Sequence, residues 1–349
     1  MPSVSLTKNE NSIRKNIRKA FSCAAKVVWN FLPKFIYNNI SIERLNLALT
    51  RACNINCVFC PYQFANSEEK IHMPERTFEK ILSGIKKSKF CEVMLSPDIG
   101  EPLLAPNFID KVKRLRQSGV KLIELTTNSS LFHKVGIEAM LREGPDKINI
   151  SFPGFDEKMY ERICRAPFYQ QTKANILDIL RTNQKMGRPK EINLWLRGDM
   201  EANCLINLPE MKKVKELANE IQCMSEVDNF GGIIKKEVLT EGLKVQSIKP
   251  SITKRPCVIL FGLTIHPDGN IHLCPCRNIV SDPALHIGNI QKTDLFTAHL
   301  KINEVLKAWA GGNIPEICKK CSMYCDPAEA VLGRFKRIAA RNLFNKWYF

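Results

Sequence analysis

From residue 44 onward the chain alternates two kinds of segment, and this rhythm limits the fold more than any other feature. Strand-like runs occur at Leu45–Leu49, Glu92–Leu95, Lys121–Thr126, Lys147–Phe152, Glu191–Leu196 and Met224–Asn229. Between them, Pro74–Lys87 and Asn107–Ser118 carry apolar residues at helical spacing, such as Phe78, Ile81 and Leu82, or Phe108 and Val112. Strands that alternate with helices predict parallel βαβ units, so the expected fold class is α/β. Such sheets bind ligands at the carboxyl ends of their strands. After about residue 240 the rhythm breaks. Pro250, Pro256, Pro267, Pro275 and Pro283 punctuate short strands, and Thr264–Leu273 reads as a hairpin turning at Asp268-Gly269. The expected units are therefore 44–240 and 241–326, flanked by segments 1–43 and 327–349.

The two flanks are basic. Of a net charge of +17, the first 45 residues hold eight Lys/Arg against two Glu, and residues 327–349 hold five against one. The middle of the chain is only mildly basic, and no nucleic-acid partner is expected. Residues 8–40 read as an amphipathic basic helix or helix pair that stops near Pro33 and packs on the body with a solvated basic face. The competing reading is a helix on an anionic membrane surface, supported by Trp29, Phe31, Phe35 and Tyr37. The C-terminal helix of 327–349 has the same character. No apolar run approaches the ~20 residues of a membrane span, and no signal peptide is read. A cytoplasmic protein is expected, with peripheral membrane contact through the two ends as the alternative.

Fourteen cysteines are unevenly placed. Cys53, Cys57 and Cys60 lie three and then two residues apart, just after the first strand. Cys257, Cys274, Cys276, Cys318, Cys321 and Cys325 gather near the back. Cys23, Cys91, Cys164, Cys204 and Cys223 are scattered and read as small buried residues. Two clusters plus singletons suit metal sites in a reducing compartment better than a disulfide framework. Closely spaced thiolates suit an iron–sulfur cluster, and three of them leave one iron open to an outside ligand.

Residues 53–60 resemble the cluster-binding motif of the radical S-adenosylmethionine (radical SAM) enzymes, including an aromatic residue, Phe59, just before the third cysteine. Three further segments match in the right order. Gly100-Glu101-Pro102 follows the second strand, where the family contacts the methionine amino group; Ile99 replaces a glycine that many relatives have. Asn128 and Ser129 follow the third strand, at a ribose-binding position, and Ser151 ends the fourth. Arg197, after the fifth, is a candidate partner for the cofactor carboxylate. The resemblance covers about residues 44–230. It implies a partial (β/α)6 TIM-like barrel in which Cys53, Cys57 and Cys60 hold a [4Fe–4S] cluster. An electron from a reductant such as flavodoxin or ferredoxin would then cleave S-adenosylmethionine to a 5′-deoxyadenosyl radical, which takes hydrogen from a substrate. The bland alternative for these segments is turn chemistry at strand ends, and for Glu101 a solvated loop carboxylate.

The rear cysteines resemble the SPASM and shortened twitch extensions of the same family, which bind auxiliary [4Fe–4S] clusters. Cys257, Cys274, Cys318 and Cys321 are the expected ligands of one such cluster, with Cys276 and Cys325 as substitutes or as neighbours that support the ligands. A zinc knuckle is the competing reading. The resemblance implies an oxidoreductase in which the auxiliary cluster accepts an electron, with a sugar or cyclitol dehydrogenase as the preferred activity. A peptide- or protein-modifying maturase is the alternative, and a non-catalytic iron–sulfur or zinc scaffold the third. Cys274 is followed by Pro275, not the aspartate of sulfatase-maturing relatives, which disfavours that activity. Asp199, Glu201 and Asp228 are strand-end carboxylates available as a base.

Overall fold

The computed structural model describes residues 44–65, 71–88, 90–95, 99–248, 255–275 and 283–326. The two basic flanks and Cys276 lie outside the described residues. The barrel half runs β1 (Arg44–Leu47), α1 (Glu75–Lys87), β2 (Glu92–Leu95), α2 (Phe108–Gln117), β3 (Leu122–Thr127), α3 (Phe132–Val135), α4 (Ile137–Arg142), β4 (Lys147–Phe152), α5 (Glu157–Cys164), α6 (Tyr169–Lys185), β5 (Glu191–Leu196), α7 (Ala202–Ile206), α8 (Met211–Leu217) and β6 (Glu220–Cys223). Each of β1 to β6 pairs in parallel with the next, in chain order. That arrangement is the expected partial (β/α)6 barrel.

Alternation along the strands assigns the two faces. Leu45, Leu47, Val93, Leu95, Ile123, Leu125, Ile148, Ile150, Ile192 and Leu194 are all at most 1% exposed and form the helix-covered face. From α1, Phe78, Ile81, Leu82 and Ile85 are buried at i, i+3, i+4 and i+7 spacing. Local signals start the helices: the Asp156 carboxylate accepts the Met159 N–H at 2.7 Å and caps α5. The sixth strand differs from the sequence reading. It occupies Glu220–Cys223 rather than 224–229, because Glu220-Ile221-Gln222-Cys223 offers only Ile221 as a fully buried apolar side chain and so lacks a strong strand signal.

The sheet does not stop at residue 240. A two-stranded piece, β7 (Glu226–Val227) with β8 (Lys244–Val245), is followed by β9 (Leu263–Ile265), β10 (Asn270–His272) and β11 (His286–Asn289). β9 pairs in parallel with β1, Leu47 opposite Ile265, and the nine-stranded order is β11-β10-β9-β1-β2-β3-β4-β5-β6. Gly269 turns the β9–β10 hairpin with φ +86, and its N–H reaches the His266 carbonyl at 2.9 Å. The rear helices are α9 (Leu295–Ala310), capped by Asp294, and α10 (Glu316–Lys319). α9 docks on α1: a Cβ at Gly84 would stand 2.8 Å from Leu295 Cδ1, so any larger residue there would force Leu295 to shift. Among the described residues no helix is long and apolar enough to cross a membrane.

Candidate active site

The Cys53–Cys60 loop leaves β1 and is fastened on three sides. On the barrel side, Glu101 N–H donates to the Ala52 carbonyl at 2.8 Å. On the helix side, Asn56 and Val58 N–H donate to the Cys164 and Ile163 carbonyls at 3.0 and 2.9 Å, which docks the loop on the end of α5. Beyond the third cysteine, the Tyr62 hydroxyl donates back to the Cys53 carbonyl at 3.0 Å, and Tyr62 N–H to Cys60 Sγ at 3.5 Å. The three thiols are thus held half-buried against the core. Burial, then the nearby Glu101 carboxylate, pushes the Cys53 thiol up. A hydrogen bond with the Cys164 thiol, then burial, raises Cys57. Thiolates in such surroundings require a compensating positive charge, which iron supplies, so the donor set fits an iron–sulfur cluster. Cys164, read from sequence as a lone buried residue, is in contact with Cys57, and only the fold reveals it.

Gly100 takes φ +105, and a Cβ there would lie 2.6 Å from the Thr50 carbonyl oxygen. Glycine therefore lets the β2 loop close on the cysteine loop. Glu101 is 1% exposed, which removes the solvated-loop reading. Its carboxylate accepts from the Thr127 hydroxyl at 2.7 Å, Asn128 N–H at 2.8 Å and Leu103 N–H at 3.1 Å, and so ties the ends of β2 and β3 together. Burial raises its pKa to about 7 despite those donors. Pro102 is buried in the same turn. Asn128 reaches the cysteine loop directly: its Nδ2 donates to Asn54 Oδ1 at 3.0 Å and lies 4.0 Å from Cys53 Sγ.

The remaining front residues divide. Ser129 is fully buried with φ +61, and its hydroxyl turns back to the Asn128 carbonyl at 2.6 Å. Ser151 is half-buried on the face opposite Ile150. The Arg197 guanidinium sits 5.5 Å from the Phe59 ring and 5.8 Å from Trp195, so it is brought to the cysteine motif as a stacked cation. Trp195 escaped the sequence reading because β5 reads as an ordinary strand. Of the candidate bases, Asp199 accepts two bonds from the Arg162 guanidinium at 2.9 Å. Burial alone would raise Asp199, but the Arg162 guanidinium and a hydrogen bond with Thr240 together outweigh it and hold the carboxyl low. Asp228 accepts from the Ser322 hydroxyl at 2.8 Å and from Phe230 N–H at 3.0 Å, and Glu201 is exposed.

The four rear cysteines come together. Cys257, Cys274, Cys318 and Cys321 are all buried and line one hollow whose other walls include Leu260, Trp309 and Tyr324. Trp309 and Tyr324 stack at 6.2 Å. Cys325 is adjacent: its N–H donates to Cys257 Sγ at 3.4 Å. Burial, as the largest effect, pushes the Cys257 thiol up to about 11. This segment is clipped to the barrel. Asn229 N–H donates to Ser322 Oγ at 2.9 Å, and Asn229 Nδ2 to the Lys320 carbonyl at 2.8 Å. Among the described residues no three His, Cys, Asp or Glu side chains converge on a single ion position. Thiolates of an iron–sulfur cluster bind separate irons and need no such point.

Comparison with known proteins agrees with this geometry. Residues 47–193 match the model of the Radical SAM superfamily. A probable GTP 3′,8-cyclase of Methanothermobacter thermautotrophicus is 24% identical over 273 residues, covering 68% of this chain and 85% of that protein. A protein of the same name from Sulfurisphaera tokodaii is 26% identical over 297 residues, covering 77% and 91%. Among solved structures, Streptococcus suis SuiB bound to precursor peptide SuiA superposes with a TM-score of 0.57 at 16% identity, covering 94% of this chain and 79% of that one. BtrN in complex with AdoMet and 2-DOIA gives 0.52 at 15% identity, covering 80% and 92%. At such identities these structures establish the fold alone. With the family match over the barrel, the cysteine loop at the end of β1 and the sheet order in agreement, residues 47–193 are a radical SAM domain, and the cofactors are a [4Fe–4S] cluster and S-adenosylmethionine.

Proposed function

We propose that this radical SAM enzyme is an oxidoreductase acting on a hydroxylated small molecule, with a second [4Fe–4S] cluster as electron acceptor. Cys53, Cys57 and Cys60 would hold the front cluster. Cys257, Cys274, Cys318 and Cys321 would hold the rear one, with Cys325 beside them. When bound, the front cofactors supply reductive cleavage of the sulfonium bond and the hydrogen abstraction that follows. Asn128 and Arg197 stand beside the cysteine motif as candidates to orient S-adenosylmethionine. Glu101 sets the loop geometry by joining the β2 and β3 ends, and the backbone of Gly100-Glu101-Pro102 is its contact segment. Ser129 supports that turn from within the core. Ser151 faces the inner side of the barrel.

The observation that carries the oxidative reading is the rear hollow. Four thiols separated by up to 64 positions in sequence line one apolar-walled space, and Ser322, which accepts from Asn229 N–H and donates to the Asp228 carboxylate, fastens it to the barrel. An enzyme that oxidises its substrate needs an electron acceptor near the reaction, and a fully ligated rear cluster is one. The SPASM/twitch-like unit of residues 241–326 is part of this proposal. A reductant such as flavodoxin or ferredoxin would serve the front cluster. The second reading is nucleotide cyclisation, favoured by the names of the GTP 3′,8-cyclase relatives over more than two thirds of the chain.

The test is anaerobic reconstitution. About eight irons per chain are expected, and Cys321→Ala should leave about four. With dithionite and S-adenosylmethionine the wild-type protein should release 5′-deoxyadenosine and Cys57→Ala should not. Four irons in the wild type, with bound zinc, would reject the second cluster while leaving the front site intact.

A further inference from the structure

The inner face of β4, β5 and β6 carries two polar rows. Strand register sets Asn149, Asn193 and Glu220 side by side, and Ser151, Trp195 and Gln222 in the next row toward the cysteine loop. Barrels of parallel strands ordinarily fill this face with branched apolar side chains. Here the deeper row is a hydrogen-bonded floor. Asn193 Nδ2 donates to Asn149 Oδ1 at 3.0 Å, and Asn149 Nδ2 to Glu124 Oε1 at 2.6 Å. Asn149 and Asn193 are 0% and 1% exposed, and Asn193 Oδ1 has no hydrogen-bond partner among the described residues. The upper row stays half-open. On β4 and β5 burial therefore changes abruptly from one row to the next, as at the floor of a binding hollow; on β6 Glu220 is half-buried and accepts from Gln222 Nε2 at 2.6 Å, which leaves the Gln222 carbonyl oxygen for a ligand. Polar groups inside a barrel cost stability unless something uses them.

Neither row contains a cation. The inner-face cation nearest in register is Arg197, two residues past Trp195, stacked against the rings of Phe59 and Trp195. Lys147, on the other side of the floor, already faces Glu124 at 4.0 Å and Glu191 at 3.5 Å. A phosphate group calls for forked arginines, lysines or converging N–H groups. An indole face flanked by an amide, a hydroxyl and a carboxylate suits a different ligand, a ring with C–H bonds on one face and hydroxyls at its edge.

We infer that the substrate is a phosphate-free hydroxylated ring, seated on Trp195 and read by Gln222 and Ser151. This rests on the radical SAM reading of the front site, because Arg197 joins the upper row to Phe59 of the cysteine motif. It separates the chain from a nucleoside triphosphate, the substrate named for its cyclase relatives. Trp195 and Gln222 are specificity-determining residues.

Equilibrium binding tests this without turnover. The reconstituted full chain, with S-adenosylmethionine and no reductant, is titrated calorimetrically with paired probes: glucosamine and glucosamine 6-phosphate, myo-inositol and its 1-phosphate, guanosine and GTP. At least one phosphate-free probe should bind, with its phosphorylated partner at least about tenfold weaker. Trp195→Ala should weaken that binding about tenfold or more, Trp195→Phe less than about threefold, and Gln222→Ala about fivefold. A phosphorylated probe binding as well as its partner would overturn the inference. So would binding unchanged in Trp195→Ala and Gln222→Ala, or no binding by any phosphate-free probe. Failure of the radical reading would show separately, as absence of 5′-deoxyadenosine from the reduced wild-type enzyme.

Discussion

Replacing Glu101 by glutamine isolates the energetics of the turn that holds the cofactor loop. In the wild type, the buried carboxylate satisfies Thr127, Asn128 and Leu103. Glutamine keeps the shape and one oxygen, but turns an NH2 group toward a donor. One unsatisfied buried donor costs about 1–3 kcal/mol. The opposing effect is charge. Burial raises the Glu101 pKa from 4.5 to about 7. The folded state thus holds a proton that the unfolded chain releases, and its contribution is complete below 4.5 and lost as pH rises through 7. Over the whole range the loss is on the order of 3 kcal/mol, of which about 2 kcal/mol falls between pH 5.5 and 8. Glutamine does not titrate and escapes that loss. Urea unfolding at the two pH values should therefore show Glu101→Gln destabilised by about 1–3 kcal/mol at pH 5.5, with the difference from wild type shrinking by about 2 kcal/mol at pH 8. If the wild-type and variant stabilities run parallel with pH, Glu101 is not protonated in the folded state and the reasoning fails.

Three further outcomes are expected. Gly100→Ala places a Cβ 2.6 Å from the Thr50 oxygen at φ +105, so it should cost at least about 2 kcal/mol in unfolding and lower iron retention at the front site. Asn229→Ala removes the side-chain bond to Lys320 and should cost about 1–3 kcal/mol; iron loss on gel filtration should fall on the rear set, with 5′-deoxyadenosine release by the front site retained. Arg162→Ala strands the largely buried Asp199 carboxylate, whose lowered pKa adds stability above the ordinary carboxylate range and loses it as pH falls; its destabilisation should be larger at pH 7 than at pH 3, measured by denaturant unfolding.

Much of the barrel was legible because β1, β4 and the first half of β5 alternate polar and apolar residues, and two of the intervening helices are amphipathic. The front thiols were legible from their spacing, and the order of the strand-end segments added to that signal. β6 was misplaced because Ile221 alone carries its burial. The β1–β9 pairing has no local signature: Leu47 and Ile265, 218 positions apart, are brought together only by the tertiary fold. The same holds for Cys164, which meets Cys57 because the end of α5 packs beneath the cysteine loop. Glu101 was singled out as a contact for the cofactor, yet its carboxylate is occupied by three donors of the chain itself, which no motif discloses. Trp195 and its neighbours stood in plain view in the alternation of β5, but their meaning depends on which strands lie alongside.

The pairing of β9 with β1 has a consequence for dissection of the protein. β1 is bonded on one edge to β2 and on the other to β9, so the strand that launches the front cysteines is interior to the sheet. A truncation after residue 240 would strip that edge and present a row of unpaired N–H and C=O groups beside Leu45 and Leu47, the kind of template on which chains aggregate. The rear unit therefore cannot be treated as a removable cassette. Domain swaps among related enzymes would need to carry β1 along with the hairpin that completes it.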